Sequence, residues 1–203
     1  MDSKAKITLS MQSAARDMGW EPLADHHIHN IIGLGLPEAL LYLYPDVHHT
    51  ERTRLRERYA ENFLRLDREK ASDLFPAVIE TLASLREQGH LLTIATGKSR
   101  KGLDRILGGL GMSDYFDATR CADETASKPH PRMLEELLTY FNMSVQASVM
   151  IGDTEYDMEM ARCINMPRIA VSYGAHHIDR LHPYEPELCL DQFEQLLGWH
   201  KLN

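Results

Sequence analysis

The sequence predicts an α/β fold in which a doubly wound parallel sheet carries an inserted all-helical domain. From His90 onward, short apolar runs alternate with stretches of helical periodicity, which is the pattern of successive strand–helix–strand units. Within that region, residues 149–157 join an apolar strand to a helix through a glycine. Residues 1 to about 75 show only helical periodicity, which indicates a separate helical insert.

The helical region is predicted to contain four helices. They run from Asp2 or Ser3 to about Met18, from Asp25 to Ile32, from Pro37 to Tyr44, and from Thr50 to about Lys70. The fourth is rich in Arg and Glu and has a thin apolar side, which is typical of a solvated helix supported by ion pairs. We divide the chain into a first helical segment at residues 1–11, a helical domain at residues 12–75 and an α/β core at residues 76–203.

The α/β core is predicted to begin at Pro76 with a helix that ends at Gly89. Strands are expected at Leu91–Thr96, Thr119–Cys121, Val149–Ile151, Arg168–Val171 and Leu188–Leu190. Helices are expected at Ser99–Leu110, Pro131–Phe141, Thr154–Ile164 and Asp191–Trp199. Because parallel strands need helical crossovers between them, this alternation predicts a parallel sheet covered by helices.

The composition narrows the classes of function. The 203 residues, 43% hydrophobic and 26% charged, suffice for one globular core with a small insert. The net charge of -8 comes without a basic stripe, which argues against nucleic-acid binding. We expect no membrane span and no signal peptide. Cys121, Cys163 and Cys189 lie too far apart for a disulfide framework, so we expect reduced thiols in a cytoplasmic protein. The sequence leaves the oligomeric state open.

Polar residues follow the predicted strands where each strand ends. Thr96 ends one strand and precedes Gly97 and Lys98, so a hydroxyl and helix N-terminal amides form a ready phosphate site. Lys128 lies in a loop that two prolines stiffen. At the carboxyl ends of parallel strands, where open α/β sheets bind ligands, these groups are candidates for one site.

Two carboxylates follow the strand at Val149–Ile151. Asp153 and Asp157, with the neighbouring Thr154, suit a hard cation such as Mg²⁺. The alternative is an acidic helix N-terminus without a metal, since the helix dipole favours negative charge there.

Histidines offer another candidate metal site. His26 and His29 are spaced i, i+3 on a predicted helix, which allows a chelate, but a zinc site needs three or four converging ligands. The alternative for these residues is solvated surface. His130 differs, because it neighbours Lys128 and is a candidate for the border of the phosphate site.

The order and spacing of Thr96, Lys128 and Asp153 resemble the haloacid dehalogenase superfamily of phosphohydrolases, in particular its phosphoglycolate-phosphatase-like branch. The resemblance covers essentially the whole chain and implies a Rossmann-like core with a helical cap. It implies that Thr96 binds the phosphoryl group of a small phosphorylated metabolite and that Lys128 neutralises it. It further implies that Asp153 binds Mg²⁺, that Asp157 supports the metal or Lys128, and that the loop Gly33-Leu34-Gly35 helps the cap to choose substrates.

One motif of that family has no counterpart in these residues. The family's nucleophilic aspartate lies in D-x-D-G-T-L-x-D-S after the first strand, and Asp2-Ser3 matches only the end of that pattern. The resemblance places the first strand between the strands that end at Thr96 and Asp153. We favour a start at an internal methionine of a longer reading frame, or a truncated chain, over a natural pseudoenzyme.

Two functions therefore remain. The leading hypothesis is a Mg²⁺-dependent phosphatase of small phosphorylated metabolites that is inactive as residues 1–203. The alternative is a non-catalytic protein that binds phosphate and metal or acts as a scaffold.

Overall fold

The computed structural model describes residues 1–70 and 73–202. Ala71, Ser72 and Asn203, which the predicted domains include, lie outside the described residues. The chain divides into two compact units, Met1–Ile32 with Leu36–Phe75, and Gly33–Gly35 with Pro76–Asn203. The cap and core roles that the sequence suggests for these regions stay a prediction.

The first unit is helical. It contains α1 (Lys4–Asp17), α2 (Asp25–Asn30), α3 (Leu36–Leu43) and α4 (His49–Glu69), so the four predicted helices are confirmed to within a few residues at each end. Helix α1 lies along α4, and the ammonium of Lys6 pairs with the carboxylate of Asp67 between them. The thin apolar side predicted for α4 is also confirmed, because its buried residues are Leu55 and Phe63.

The second unit contains alternating helices and strands. They are α5 (Val78–Glu87), β1 (Thr93–Thr96), α6 (Arg100–Gly109), β2 (Ala118–Cys121), α7 (Arg132–Phe141), β3 (Met150–Gly152), α8 (Glu155–Arg162), β4 (Arg168–Val171) and β5 (Leu188–Leu190). Every strand pair is parallel. The predicted doubly wound α/β order is therefore confirmed.

The strands form two hydrogen-bonded sheets rather than one. Strand β1 pairs with β2, with Thr96 opposite Cys121, and β3, β4 and β5 pair in that order, with Gly152 opposite Ala170. Among the described residues, no strand lies between β1 and β3 and no ladder joins them. The sequence predicted a single sheet. In the described residues, β1 and β3 each have a hydrogen-bonded neighbour on one edge alone, which divides the strands into two sheets.

Apolar clusters cover both faces of the strands. On one face, Met133 and Leu134 of α7 pack with Met160 of α8, and Ala95 of β1 and Met150 of β3 contact this cluster. On the other face, the cluster is built from Leu85, Leu92, Ile169, Val171, Leu190, Leu196 and Trp199. The two ladders therefore share their helical covering, although no hydrogen bonds connect them.

The last predicted helix differs from the observed one. In place of an α-helix at Asp191–Trp199, the structure has a 3₁₀ helix at Phe193–Gly198. The side chain of Gln195 accepts the N–H groups of Asp191 and Gln192, which satisfies the donors at its start. A segment this short gains little from α-helical bonding, and 3₁₀ geometry is common in such short pieces.

The three cysteines are free, with Cys121 buried and the other two exposed. Of the helices in the described part of the chain, none is long and apolar enough to cross a membrane.

Candidate active site

A buried ion pair lies at the centre of the candidate site. Lys128 is 8% exposed and Asp157 is 3% exposed, and the ammonium of Lys128 donates to Oδ1 of Asp157 at 2.5 Å. Lysine and aspartate are rarely buried unless they are paired, so this geometry requires both partners. The pair joins the loop after β2 to the first turn of α8.

The second oxygen of Asp157 organises the start of α8. Oδ2 accepts the backbone N–H of Thr154 at 3.0 Å and its hydroxyl at 2.7 Å. The N–H of Asp157 in turn donates to the side chain of Thr154, which completes a capping box. Gly152 allows this close approach, because an added Cβ would lie 2.2 Å from Cβ of Asp157. Both oxygens of Asp157 are therefore engaged with protein donors.

Asp153 is held by the loop that follows β4. Its Oδ2 accepts the N–H of Ala175 at 2.8 Å, and its carbonyl accepts the N–H of His176 at 3.1 Å. His176 is buried, and its Nδ1 accepts the N–H of Glu155 at 3.2 Å. An added Cβ at Gly174 would lie 2.0 Å from Cβ of Asp153, so this loop needs glycine for its close approach. Sequence reasoning did not connect this loop with Asp153, because Ala175 lies 22 residues further along the chain.

The pKa of Asp153 is raised from its ordinary value of 3.8. Burial is the largest cause, because the charged form loses its water, and the negative charge of Asp157 adds to it. The hydrogen bond from Ala175 and the positive charge of Lys128 act in the opposite direction.

Thr96 lies at the carboxyl end of β1, as predicted. Its Oγ1 accepts the N–H of Lys98 at 3.2 Å, which leaves the hydroxyl hydrogen able to donate to a ligand. An added Cβ at Gly97 would lie 2.5 Å from the carbonyl oxygens of both Gly33 and Leu34. Only glycine therefore permits the contact between this turn and the Gly33–Gly35 loop.

The Gly33–Gly35 loop touches three of the strand-end loops of the second unit, those after β1, β2 and β3. Besides Gly97, it reaches Ser127, whose hydroxyl accepts the N–H of Gly35 at 2.7 Å. It also reaches Thr154, since an added Cβ at Gly33 would lie 2.8 Å from the threonine Oγ1. Gly97, Ser127 and Thr154, the chain neighbours of Thr96, Lys128 and Asp153, therefore all contact this one short loop.

Arg100 connects two of these loops, a role that the sequence did not reveal. Its guanidinium donates to both carboxylate oxygens of Glu124, at 2.9 and 2.8 Å, and its backbone N–H donates to Asp123. The bond from Arg100 lowers the pKa of Glu124, which in turn accepts the N–H of Cys121. This bidentate pair fixes the start of α6 against the segment that leads from β2 to Lys128.

Comparison with known proteins assigns the family. A model of the haloacid dehalogenase-like hydrolase family matches residues 1–171. The chain belongs to this family. The resemblance inferred from Thr96, Lys128 and Asp153 is therefore confirmed at the level of the family, and so is its hydrolase class.

The curated relatives are phosphatases. A probable phosphatase IndB from Dickeya dadantii is 32% identical over 202 residues, which cover 98% of this chain and 87% of the relative. A phosphoglycolate phosphatase from Vibrio vulnificus is 26% identical over 205 residues, which cover 97% of this chain and 90% of that protein. These matches support the haloacid dehalogenase type of phosphatase as the class of this enzyme.

Solved structures share the fold. A predicted phosphoglycolate phosphatase from Haemophilus somnus superposes with a TM-score of 0.84 at 22% identity, covering 97% of this chain and 91% of that one. A hydrolase from Pseudomonas syringae gives a TM-score of 0.86 at 21% identity, covering 97% of this chain and 90% of that one. At this level of identity, the likeness concerns the fold alone.

The donor set near Asp153 fits Mg²⁺ if a phosphate shares the coordination. Among the described residues, no three His, Cys, Asp or Glu side chains are grouped to hold a metal, and this includes the histidines around His26 and His29. Mg²⁺ is commonly held by one or two carboxylates together with water and substrate phosphate. Asp153 can supply one such carboxylate. The engagement of both Asp157 oxygens favours the second role considered for that residue, which is to support Lys128.

His130 is exposed, and its N–H donates to the carbonyl of Ser127 at 3.1 Å. Its Nδ1 accepts the N–H of Arg132 at 3.2 Å, at the start of α7. The proposed position at the border of the site stays a prediction.

Proposed function

We propose that this protein is a Mg²⁺-dependent phosphatase of small phosphorylated metabolites, similar in substrate class to the phosphoglycolate phosphatases among its relatives. The observation that carries the proposal is the buried Lys128–Asp157 pair beside Asp153 at the carboxyl ends of the strands. Phosphoryl transfer depends on positioning and on neutralisation of negative charge, and this pair places a fixed cation where such a group would bind.

Each residue then has a distinct task. The Thr96 hydroxyl donates to a phosphoryl oxygen, while Gly97 and Lys98 shape the turn around it. Lys128 offers its remaining ammonium donors to the same group, and Asp157 holds the ammonium of Lys128 in position. Asp153 would hold Mg²⁺, which when bound supplies further neutralisation of the phosphoryl oxygens. The Gly33–Gly35 loop, which contacts the strand-end loops, is proposed to sense the substrate.

Residues 1–203 alone are proposed not to turn substrate over. Covalent phosphoryl transfer needs a carboxylate in line with the phosphorus. Asp157 already serves Lys128 and Thr154, and Asp153 is assigned to the metal. Neither is left to act as a nucleophile. We further propose a cytoplasmic location, because free cysteines are typical of a reducing compartment.

Binding and turnover measured on the same protein test this proposal. We expect calorimetry to detect phosphoglycolate binding in the presence of Mg²⁺ and to find it weakened by EDTA. The variant Thr96→Val removes one hydroxyl at nearly constant volume, and loss of a hydrogen bond to a charged group predicts roughly 10- to 100-fold weaker binding. Thr139→Val, which alters an exposed threonine on α7, is the matched control and should bind normally.

Turnover tests whether a residue of this chain serves as the nucleophile. We expect no hydrolysis of phosphoglycolate or p-nitrophenyl phosphate by residues 1–203. Robust hydrolysis that Thr96→Val abolishes would show that a residue of this chain does serve as nucleophile. Absence of phosphoglycolate binding in all conditions would contradict the assigned site, whereas binding that EDTA leaves unchanged would favour a non-catalytic phosphate-binding protein.

A further inference from the structure

The start of α8 is held from outside the helix by a segment that follows β4. We call residues 174–180 the clamp. Two backbone N–H groups of the clamp donate to Asp153, one to Oδ2 at 2.8 Å and one to the carbonyl at 3.1 Å. At the other end of the clamp, the guanidinium of Arg180 donates to both carboxylate oxygens of Glu155, at 2.5 and 3.4 Å. The clamp therefore binds the chain both before and after the first residue of the helix.

His176 provides a side-chain contact in the middle of the clamp. The residue is 2% exposed, and its Nδ1 accepts the N–H of Glu155 at 3.2 Å. Its ring packs edge-on against the ring of Tyr156, with the two ring centres 5.6 Å apart. Nδ1 can accept a hydrogen bond only without a proton, so this contact requires the neutral tautomer that carries its hydrogen on Nε2. His176 therefore orients the helix start by a directed bond.

This bond completes the N-terminus of α8. The capping box binds the N–H groups of Thr154 and Asp157, and the N–H of Glu155, between them in the sequence, is bound by His176. The first N–H groups of a helix have no partner within the helix, so an acceptor from another segment fixes the direction in which the helix begins. Asp153 immediately precedes this turn, and its own position is therefore set by the same clamp.

Mg²⁺ and Ca²⁺ differ in the geometry that they require of a carboxylate ligand. Mg²⁺ requires near-octahedral geometry at short distances, whereas Ca²⁺ accepts about 6–8 oxygens in a flexible arrangement. Selectivity between the two ions therefore depends on how rigidly the ligands are held. A carboxylate that is fixed from both its main chain and its side chain, as Asp153 is, favours the smaller ion.

We propose that His176 is a positioning residue that makes the Asp153 site select Mg²⁺ over Ca²⁺, by fixing the start of α8 through Nδ1. This inference rests on the proposed assignment of Asp153 to the metal. It gives His176 no contact with metal or substrate. Residues that orient a metal ligand typically contribute roughly 10- to 100-fold to metal affinity, which sets the size of the expected effect.

Calorimetric titration of Mg²⁺ and of Ca²⁺, each with phosphoglycolate present, tests the proposal. His176→Phe keeps an aromatic ring and removes the acceptor, so we expect Mg²⁺ to bind roughly 10- to 100-fold more weakly. Ca²⁺, which tolerates irregular geometry, should lose much less. The ratio of the two Kd values should therefore change by roughly tenfold or more in favour of Ca²⁺.

Two further variants separate the hydrogen bond from the shape of the ring. In His176→Asn, Oδ1 can accept in place of Nδ1, so this variant should restore most of the preference for Mg²⁺. His177→Phe alters the neighbouring histidine, whose side chain is 75% exposed, and should behave as the wild type. Failure of His176→Asn to restore any preference would contradict a role for the Nδ1 acceptor.

Arg180→Gln keeps the proposal testable if His176→Phe does not fold. The substitution removes the ion pair with Glu155 at the end of the clamp, where the Arg180 side chain is 34% exposed. Loss of its positive charge affects two divalent ions alike, so the ratio of their Kd values reports the geometry of the site. We expect the preference for Mg²⁺ to fall, by less than in His176→Phe.

Hydrogen exchange and NMR test the geometry without metal or phosphate. The N–H of Glu155 should exchange roughly tenfold or more faster in His176→Phe than in the wild type, and at nearly the wild-type rate in His176→Asn. Nitrogen NMR of the wild type should find the imidazole hydrogen on Nε2. An imidazole hydrogen on Nδ1, or exchange at Glu155 that His176→Phe leaves unchanged, would overturn the proposal.

The titrations distinguish a failure of this inference from a failure of the proposed function. If the wild type binds neither ion, the assignment of Asp153 to the metal is wrong, and the inference is wrong with it. If the wild type prefers Mg²⁺ and His176→Phe keeps that preference, the inference about His176 alone is refuted. Equal losses for both ions would also refute it, because they would show that His176 supports the fold without setting the choice of ion.

Discussion

The two aspartates of the candidate site are expected to respond in opposite ways to the same substitution. Asp157→Asn removes a negative charge from a side chain that is 3% exposed and accepts the ammonium of Lys128 at 2.5 Å. Lys128, itself 8% exposed, would then be a buried charge without its counter-ion. Asp153→Asn removes a charge that burial and Asp157 already disfavour, as its raised pKa indicates.

The magnitude for Asp157→Asn follows from the burial of the pair. Removing one partner of a buried ion pair costs about 3–5 kcal/mol, a large part of the ~5–15 kcal/mol that stabilises a typical domain. For a chain of this size, 1 kcal/mol corresponds to roughly 2–4 °C, so Tm should fall by roughly 6–20 °C. Asp153→Asn should leave Tm unchanged or raise it, because the amide can still accept the N–H of Ala175.

Thermal and urea unfolding, followed by circular dichroism in metal-free buffer at neutral pH, would measure these differences. Asp114→Asn, at an exposed position, is the control and should lie within about 0.5 kcal/mol of the wild type. Equal destabilisation by Asp157→Asn and Asp153→Asn would refute the assignment of separate roles to the two carboxylates. A Tm unchanged by Asp157→Asn would refute the buried pair itself.

Two further predictions concern the surroundings of Asp153. Folding raises the pKa of Asp153, so the folded state binds the carboxyl proton more tightly than the unfolded state does. The stability that this carboxyl contributes is therefore present below pH 3.8 and is lost as the pH rises through the folded pKa. The advantage of Asp153→Asn over the wild type should therefore vanish in acid and appear above that range, and a pH-independent difference in Tm would contradict this. Gly174→Ala places a Cβ 2.0 Å from that of Asp153 and should cost about 1–3 kcal/mol in urea unfolding. Gly109→Ala, in α6 with nothing within 4 Å of the new Cβ, should instead stabilise by up to about 1 kcal/mol, and equal effects of both would show that the crowding at Gly174 is unimportant.

The local pattern of the sequence determined most of the secondary structure. Helix α4, predicted at Thr50–Lys70, is observed at His49–Glu69. The prediction succeeded because a long, charged pattern with helical periodicity is typical of a helix and not of a strand. The 3₁₀ helix at Phe193–Gly198 was predicted as α-helix, since the number of residues in a short helix does not reveal which backbone bonds it will form. Periodicity could not predict the break between β1 and β3, because it identifies strands but not which strands pair with each other.

The sequence by itself determined the candidate residues Thr96, Lys128 and Asp153 and the family to which the chain belongs, because these residues follow strand ends at a characteristic spacing. Tertiary structure alone decided which hydrogen-bond donor contacts each of the two carboxylates. It placed the ammonium of Lys128 against Asp157, and the N–H of Ala175 against Asp153, across 29 and 22 residues of chain. Spacing in the sequence can bring two carboxylates to one helix end. Which of them is neutralised depends on cations and N–H groups that arrive from distant loops, and only the packed fold sets those distances.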